Sequence, residues 1–160
     1  MSSSDLPAMM FCCDPGLMSG VGILNYNPAL DPPVKLVGSM ECELPYVGEA
    51  AEHFLTTYGP REAAIVCERF TITVKTAQNS QAPWSLEVIG MLRWLLWKHW
   101  HVDPEDVLIL QQPADAKRLV NNDLLRRIGL WHRGGEGHAN DALRHGVYRY
   151  ARLGVRSILL

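Results

Sequence analysis

Long hydrophobic runs are missing from this chain. No apolar stretch reaches the ~20 residues a helix needs to cross a bilayer, although 48% of the 160 residues are hydrophobic. The opening Met1-Ser2-Ser3-Ser4-Asp5 lacks the basic start of a secretory signal. The expectation is a soluble, cytoplasmic protein with no membrane partner. Cysteine is scarce: Cys12, Cys13, Cys42 and Cys67 include no C-x-x-C pair. That argues against a zinc ribbon or a disulfide scaffold. Cys12, Cys13 and Cys67 fall in expected strands and read as reduced core residues. His99 and His101 lack a third ligand at a suitable spacing, so zinc is not expected. No G-x-x-x-x-G-K-[ST] loop and no G-x-S-x-G elbow occurs. ATP hydrolysis, a nucleotide cofactor and serine-hydrolase chemistry therefore find no support. There is no internal repeat. A single domain over residues 1–160 is expected, with 1–8 and 155–160 as tails.

Charge is unevenly spread behind a net value of −2. Residues 1–116 hold 6 Lys/Arg against 14 Asp/Glu, and residues 117–160 hold 9 against 3. A basic final third could meet a polyanion or simply form a solvated helical surface.

What the chain does have is the stretch Met9-Met10-Phe11-Cys12-Cys13-Asp14-Pro15-Gly16. An apolar run ends on an acid and then turns. A buried strand with its carboxylate at the mouth of a sheet is expected, followed by strands at 20–26 and 34–40. Taken alone, Asp-Pro-Gly is ordinary turn chemistry. Residues 45–58 carry an apolar helical stripe, with Pro45 at its start and Gly59-Pro60 beyond it. Residues 63–68 then repeat the opening design: an apolar run ending on Glu68, as a strand parallel to the first. Residues 70–74 alternate apolar and polar, and 75–82 read as a mobile loop.

The helix expected at 84–100 is apolar around most of its cylinder, with Trp84, Val88, Met91, Leu92, Leu95 and Trp100 among its residues. Either a homodimer surface or deep burial accounts for it, since one stripe would suffice to pack on a sheet. A short strand at 107–110 and helices at 114–120, 123–128 and 138–153 complete the chain. In the last helix, His138, Asp141 and His145 share one face.

Asp14, Glu68, His138 and Asp141 thus form a candidate constellation. Clustered acids need a cation, and hard oxygen ligands suit Mg²⁺ or Mn²⁺. Two such ions can activate water and stabilise the leaving oxygen of a phosphodiester.

The order strand-Asp, strand-Glu, then a late helix with His-x-x-Asp-Ala resembles the RuvC-type Holliday-junction resolvases of the RNase H-like superfamily, particularly the bacteriophage forms. Asp14-Pro15-Gly16 matches the first acid, Glu68 the second, and Asp141-Ala142 the last acid and its small neighbour. His138 stands where many members have Asp and some have His. Pro113, Lys117 and Val120 loosely match a DNA-contacting basic segment, although Ala114-Asp115-Ala116 replaces its Gly-rich approach. The resemblance spans about residues 9–153. The motifs are short, and only their order and context are specific.

The resemblance implies an α/β fold: an RNase H-like five-stranded mixed sheet, three antiparallel then two parallel strands, flanked by helices. It implies a Mg²⁺-dependent endonuclease that resolves four-way junctions, with two ions per site. Asp14 would be the shared ligand, Glu68 and Asp141 would hold one ion each, and His138 would ligate or orient water. Lys117, Arg118, Arg126, Arg127 and Arg144 would hold phosphates. Trp84, Val88, Met91, Leu92 and Leu95 would form a homodimer interface. A phage-encoded chain would act in the host cytoplasm. Two rivals keep the fold: a nuclease for flaps or RNA–DNA hybrids, and a non-catalytic DNA-binding protein.

Overall fold

A computed structural model describes residues 6–72 and 82–160. Its organising element is β1 (Met9–Asp14), which is buried along its whole length. Side chains alternate across a strand, so β1 feeds two cores. Met9, Phe11 and Cys13 join one cluster; Met10 and Cys12 join the other. A strand covered on both faces needs a continuous apolar run rather than an alternating one.

β2 (Ser19–Tyr26) and β3 (Val34–Cys42) follow as an antiparallel meander. Helix α1 (Leu44–Thr57) then crosses over to β4 (Ala63–Glu68), which pairs parallel to β1. Helix α2 (Ala82–Trp100) and the single turn α3 (Pro104–Val107) lead to β5 (Leu108–Gln111), parallel to β4. The sheet has five strands in the order β3-β2-β1-β4-β5. The chain closes with α4 (Pro113–Leu119), α5 (Asn122–Arg127) and α6 (His138–Arg152). This is the expected mixed sheet, three strands antiparallel and then two parallel, flanked by helices.

One face of the sheet is covered by α1 and α2, through Val47, Ala51, Phe54, Val88, Leu92 and Leu96. The other is covered by α5 and α6, through Leu124, Leu125, Leu143, Val147 and Tyr150. No helix among the described residues is long and apolar enough to cross a membrane. Cys12, Cys13 and Cys67 are buried free thiols, and Cys42 is a half-buried one.

Four expectations need correction or limits. Val88, Leu92 and Leu95 are 0%, 0% and 3% exposed, so they pack inward and cannot meet a partner. Their spacing of four and three residues is the core-facing stripe of α2. Burial of each such side chain contributes about 1.5–3 kcal/mol. The outward face carries Trp84, Leu86, Trp94 and Trp97 instead, and Met91 lies between the two faces. The apolar end is not a loose tail: Val155 and Ile158 are buried in the second core, the latter in a 3₁₀ turn at Arg156–Leu159. Residues 69–72 form no strand. Residues 73 and 74, and all of the expected mobile loop at 75–82 except Ala82, lie outside the described residues, and Ala82 opens α2.

Candidate active site

The parallel register sets Cys13 beside Cys67, so the next residues, Asp14 and Glu68, end neighbouring strands at the same edge. The turn beyond Asp14 is fixed from two directions. Ser19 Oγ accepts from the Gly16 amide and donates to the Gly16 carbonyl, both at 3.1 Å. Ser85 Oγ, at the start of α2, donates to the Pro15 carbonyl at 2.7 Å.

Helix α6 closes the site. Gly20 lies under its first turn, and a Cβ there would fall on the His138 carbonyl. Glycine is therefore the residue that lets this backbone lie on the sheet. The His138 ring then reaches Asp14, its Nδ1 donating to Oδ2 at 3.0 Å. Its Nε2 lies 3.8 Å from Glu136. One turn on, Asp141 accepts from Lys117 Nζ at 2.8 Å and from Arg144. One further turn brings His145, which is 1% exposed. Its Nε2 lies 3.1 Å from Glu68 Oε2 and its Nδ1 2.9 Å from Gln111 Oε1.

Asp14, Glu68, His138 and Asp141 line one cavity of about 420 Å³, with Lys117, Phe70 and Ser85 on its wall. Burial pushes the Asp14 carboxyl above its ordinary value, and the charge of Glu68 pushes it further; His138 and Lys117 oppose both. Burial and the neighbouring Glu68 carboxylate thus both disfavour the ionised form of Asp14. Among the described residues no group of three or more His, Cys, Asp or Glu is arranged to hold a metal ion. In kind, the donor set suits a hard divalent ion, since three carboxylates and an imidazole face one cavity.

The basic residues expected to hold phosphates fall in three places. Lys117, Arg126 and Arg144 line a second cavity that shares Asp141 and Lys117 with the first. Arg144 is paired with Asp141 and Asn122, and Arg126 with Asp123 while lying 4.2 Å over the Trp131 ring. Arg118 is highly exposed and only loosely paired with Asp115, at 3.7 Å. Arg127 is turned elsewhere: it donates to the Leu159 carbonyl at 3.0 Å and ties down the C-terminal turn.

Sequence reasoning placed His145 on the right helix face but gave it no part in the site. A usable signal existed in Gln111, a polar residue ending a short apolar strand just as Asp14 and Glu68 do. Glu41 was missed entirely, and its place depends on strand register.

Fold and site together define an α/β protein with a five-stranded mixed sheet whose acidic strand ends meet a late helix. No family model and no curated protein matches the chain. Solved structures do. The Thermus thermophilus RuvC structure aligns with a TM-score of 0.66 at 16% identity, covering 92% of this chain and 97% of that one. T. thermophilus RuvC in complex with Holliday junction substrate aligns with a TM-score of 0.66 at 17% identity, over the same shares of both chains. The fold is RuvC-like.

Proposed function

We propose that this chain is a divalent-metal-dependent endonuclease that resolves four-way DNA junctions by paired phosphodiester cuts. One observation carries the reading: Asp14, Glu68, His138 and Asp141, from two strands and a helix, open onto one cavity in a RuvC-like fold. The neighbour in complex with Holliday junction substrate supports branched DNA as the ligand class.

Asp14, Glu68 and Asp141, with His138, would hold Mg²⁺ or Mn²⁺. A bound metal would offset the repulsion between these carboxylates and would lower the pKa of a water at the scissile phosphate. The protein's own groups do the rest. Asp14 accepts from Nδ1 of His138, which fixes the ring with Nε2 3.8 Å from Glu136. From there Nε2 can orient a water or take its proton. Lys117 is half exposed and can exchange Asp141 for a phosphate oxygen. Arg118 and Arg126 offer further contacts along the backbone. Such contacts read shape rather than sequence. In a homodimer, two sites would each cut one strand, and the outward face of α2 with Trp84, Trp94 and Trp97 would join the subunits.

The test is a cleavage panel: an immobile four-way junction, a flap, a linear duplex and an RNA–DNA hybrid, each with Mg²⁺, Mn²⁺ or EDTA. Symmetric paired nicks on the junction, abolished by EDTA, are expected. Preferential cutting of flaps or hybrids would move the substrate class, and binding without any cutting would replace the nuclease with a DNA-binding protein.

A further inference from the structure

We propose that Glu41 is a positioning residue: from the edge strand β3 it holds the 134–139 turn so that His138 meets Asp14. The proposal rests on Asp14 and His138 belonging to the site described above.

The strand registers put Glu41 opposite Gly20, and Gly20 opposite Asp14. These three residues form one row across β3, β2 and β1. Directly opposite residues of an antiparallel pair project to the same face, so the row lies under α6. Each member meets the start of that helix differently. Glu41 Oε2 accepts from the Glu136 amide at 2.6 Å; Oε1 accepts from the amides of Gly137 at 2.8 Å and Ala139 at 3.2 Å. Gly20 leaves room for the His138 backbone. Asp14 receives the His138 ring.

Helix α6 has no cap of its own. Gly137 occupies the cap position with φ 103° and offers no side chain. First-turn amides without a partner are costly, and a carboxylate at this end also meets the positive pole of the helix. Glu41 supplies both from a distant part of the chain. The turn is shaped around it: Gly135, at φ 67°, has no Cβ because the Glu41 carboxylate fills that space. The amides that Glu41 grips flank His138 on either side. A carboxylate is therefore spent on orientation rather than on chemistry, and the distance between His138 and Asp14 depends on a residue outside the cavity.

The experiment uses the full chain and the variants E41A, E41Q and E41D. Imidazole cross-peaks of the six histidines are followed by NMR, with the His138 signals assigned through H138Q. In E41A, the His138 signals should move while those of His53, His99 and His101 stay. E41Q keeps an acceptor oxygen and should fall between E41A and wild type. Junction cleavage should lose about tenfold to a hundredfold in kcat through misplacement of the ring, with junction affinity within about twofold of wild type. A purely structural role would lower the melting temperature and leave His138 of the folded protein unmoved. Unmoved His138 signals in E41A overturn the proposal, as do shifted signals with unchanged kcat. Should E41A not fold, E41Q and E41D decide on the same criteria. If the wild type cuts no DNA, the nuclease reading fails, and the NMR arm still decides whether Glu41 positions His138.

Discussion

His145 Nε2 stands 3.1 Å from Glu68 Oε2, inside the protein rather than at the cavity mouth. The same ring reaches Gln111 on the next strand, so one buried histidine ties the ends of β4 and β5 to α6. It restrains the Glu68 carboxylate much as His138 restrains Asp14.

His145→Ala should leave Glu68 and Gln111 without this partner in a largely buried setting. A loss of about 1–3 kcal/mol is expected, the usual cost of an orphaned buried polar group. Urea unfolding measures it. Cleavage should fall as well, since Glu68 is then free to turn. A variant as stable and as active as wild type would remove His145 from the site.

Lys117→Ala should act almost wholly on DNA. The Lys117–Asp141 pair is half exposed on the lysine side, and such pairs contribute about 0–1 kcal/mol. Junction affinity should fall, and the slope of log affinity against log salt should lose about one unit. Titrations at several salt concentrations test this. An unchanged slope would mean that Lys117 touches no phosphate.

The two faces of α2 should respond differently. Leu92→Ala removes a fully buried side chain and should cost about 2–5 kcal/mol of stability. Trp94→Lys and Trp97→Lys alter side chains that are 54% and 61% exposed, so they should leave folding intact and shift a dimer toward monomer. Sedimentation velocity separates the outcomes. A wild type that is monomeric with and without DNA would end the dimer reading.

Acid should release Glu41. Burial works to raise its carboxyl, but the amides of Glu136, Ala139 and Gly137 outweigh it and hold the pKa below the ordinary 4.5. A depressed carboxyl contributes stability that is present above the unfolded value and lost as pH falls through the folded value. The stability gap between wild type and E41Q should therefore be constant above about pH 5 and shrink below that. A gap that persists to pH 2 would show that charge at Glu41 is not what holds the turn.

Much of the fold was legible because the core strands obey simple rules. β1 and β4 are apolar runs ending on acids, and a strand buried on both faces can look like little else. Asp14, Glu68, His138 and Asp141 were singled out from those endings and from helical spacing, and the fold brings all four to one cavity. Other features depend on relationships that a linear reading does not contain. The residues expected at the dimer interface were drawn from both faces of α2, since an all-round apolar helix does not declare which side meets the sheet. Arg127 looked like any other basic residue of the final third, yet it serves the C-terminal turn. Glu41 lies 95 residues before the first amide it holds, and only the β2–β3 register brings the two together.

The most direct measurement compares wild type with Asp14→Asn on a labelled four-way junction in Mg²⁺, scoring binding and cutting separately. Burial and the Glu68 charge already disfavour the ionised Asp14 side chain, so the neutral variant should fold at least as well as wild type. It should bind the junction within about twofold, yet cut at least about a thousandfold more slowly, a loss of ~4 kcal/mol of transition-state stabilisation. Asp14→Asn cutting at the wild-type rate would contradict the account, because its central carboxylate would then have no part in the chemistry.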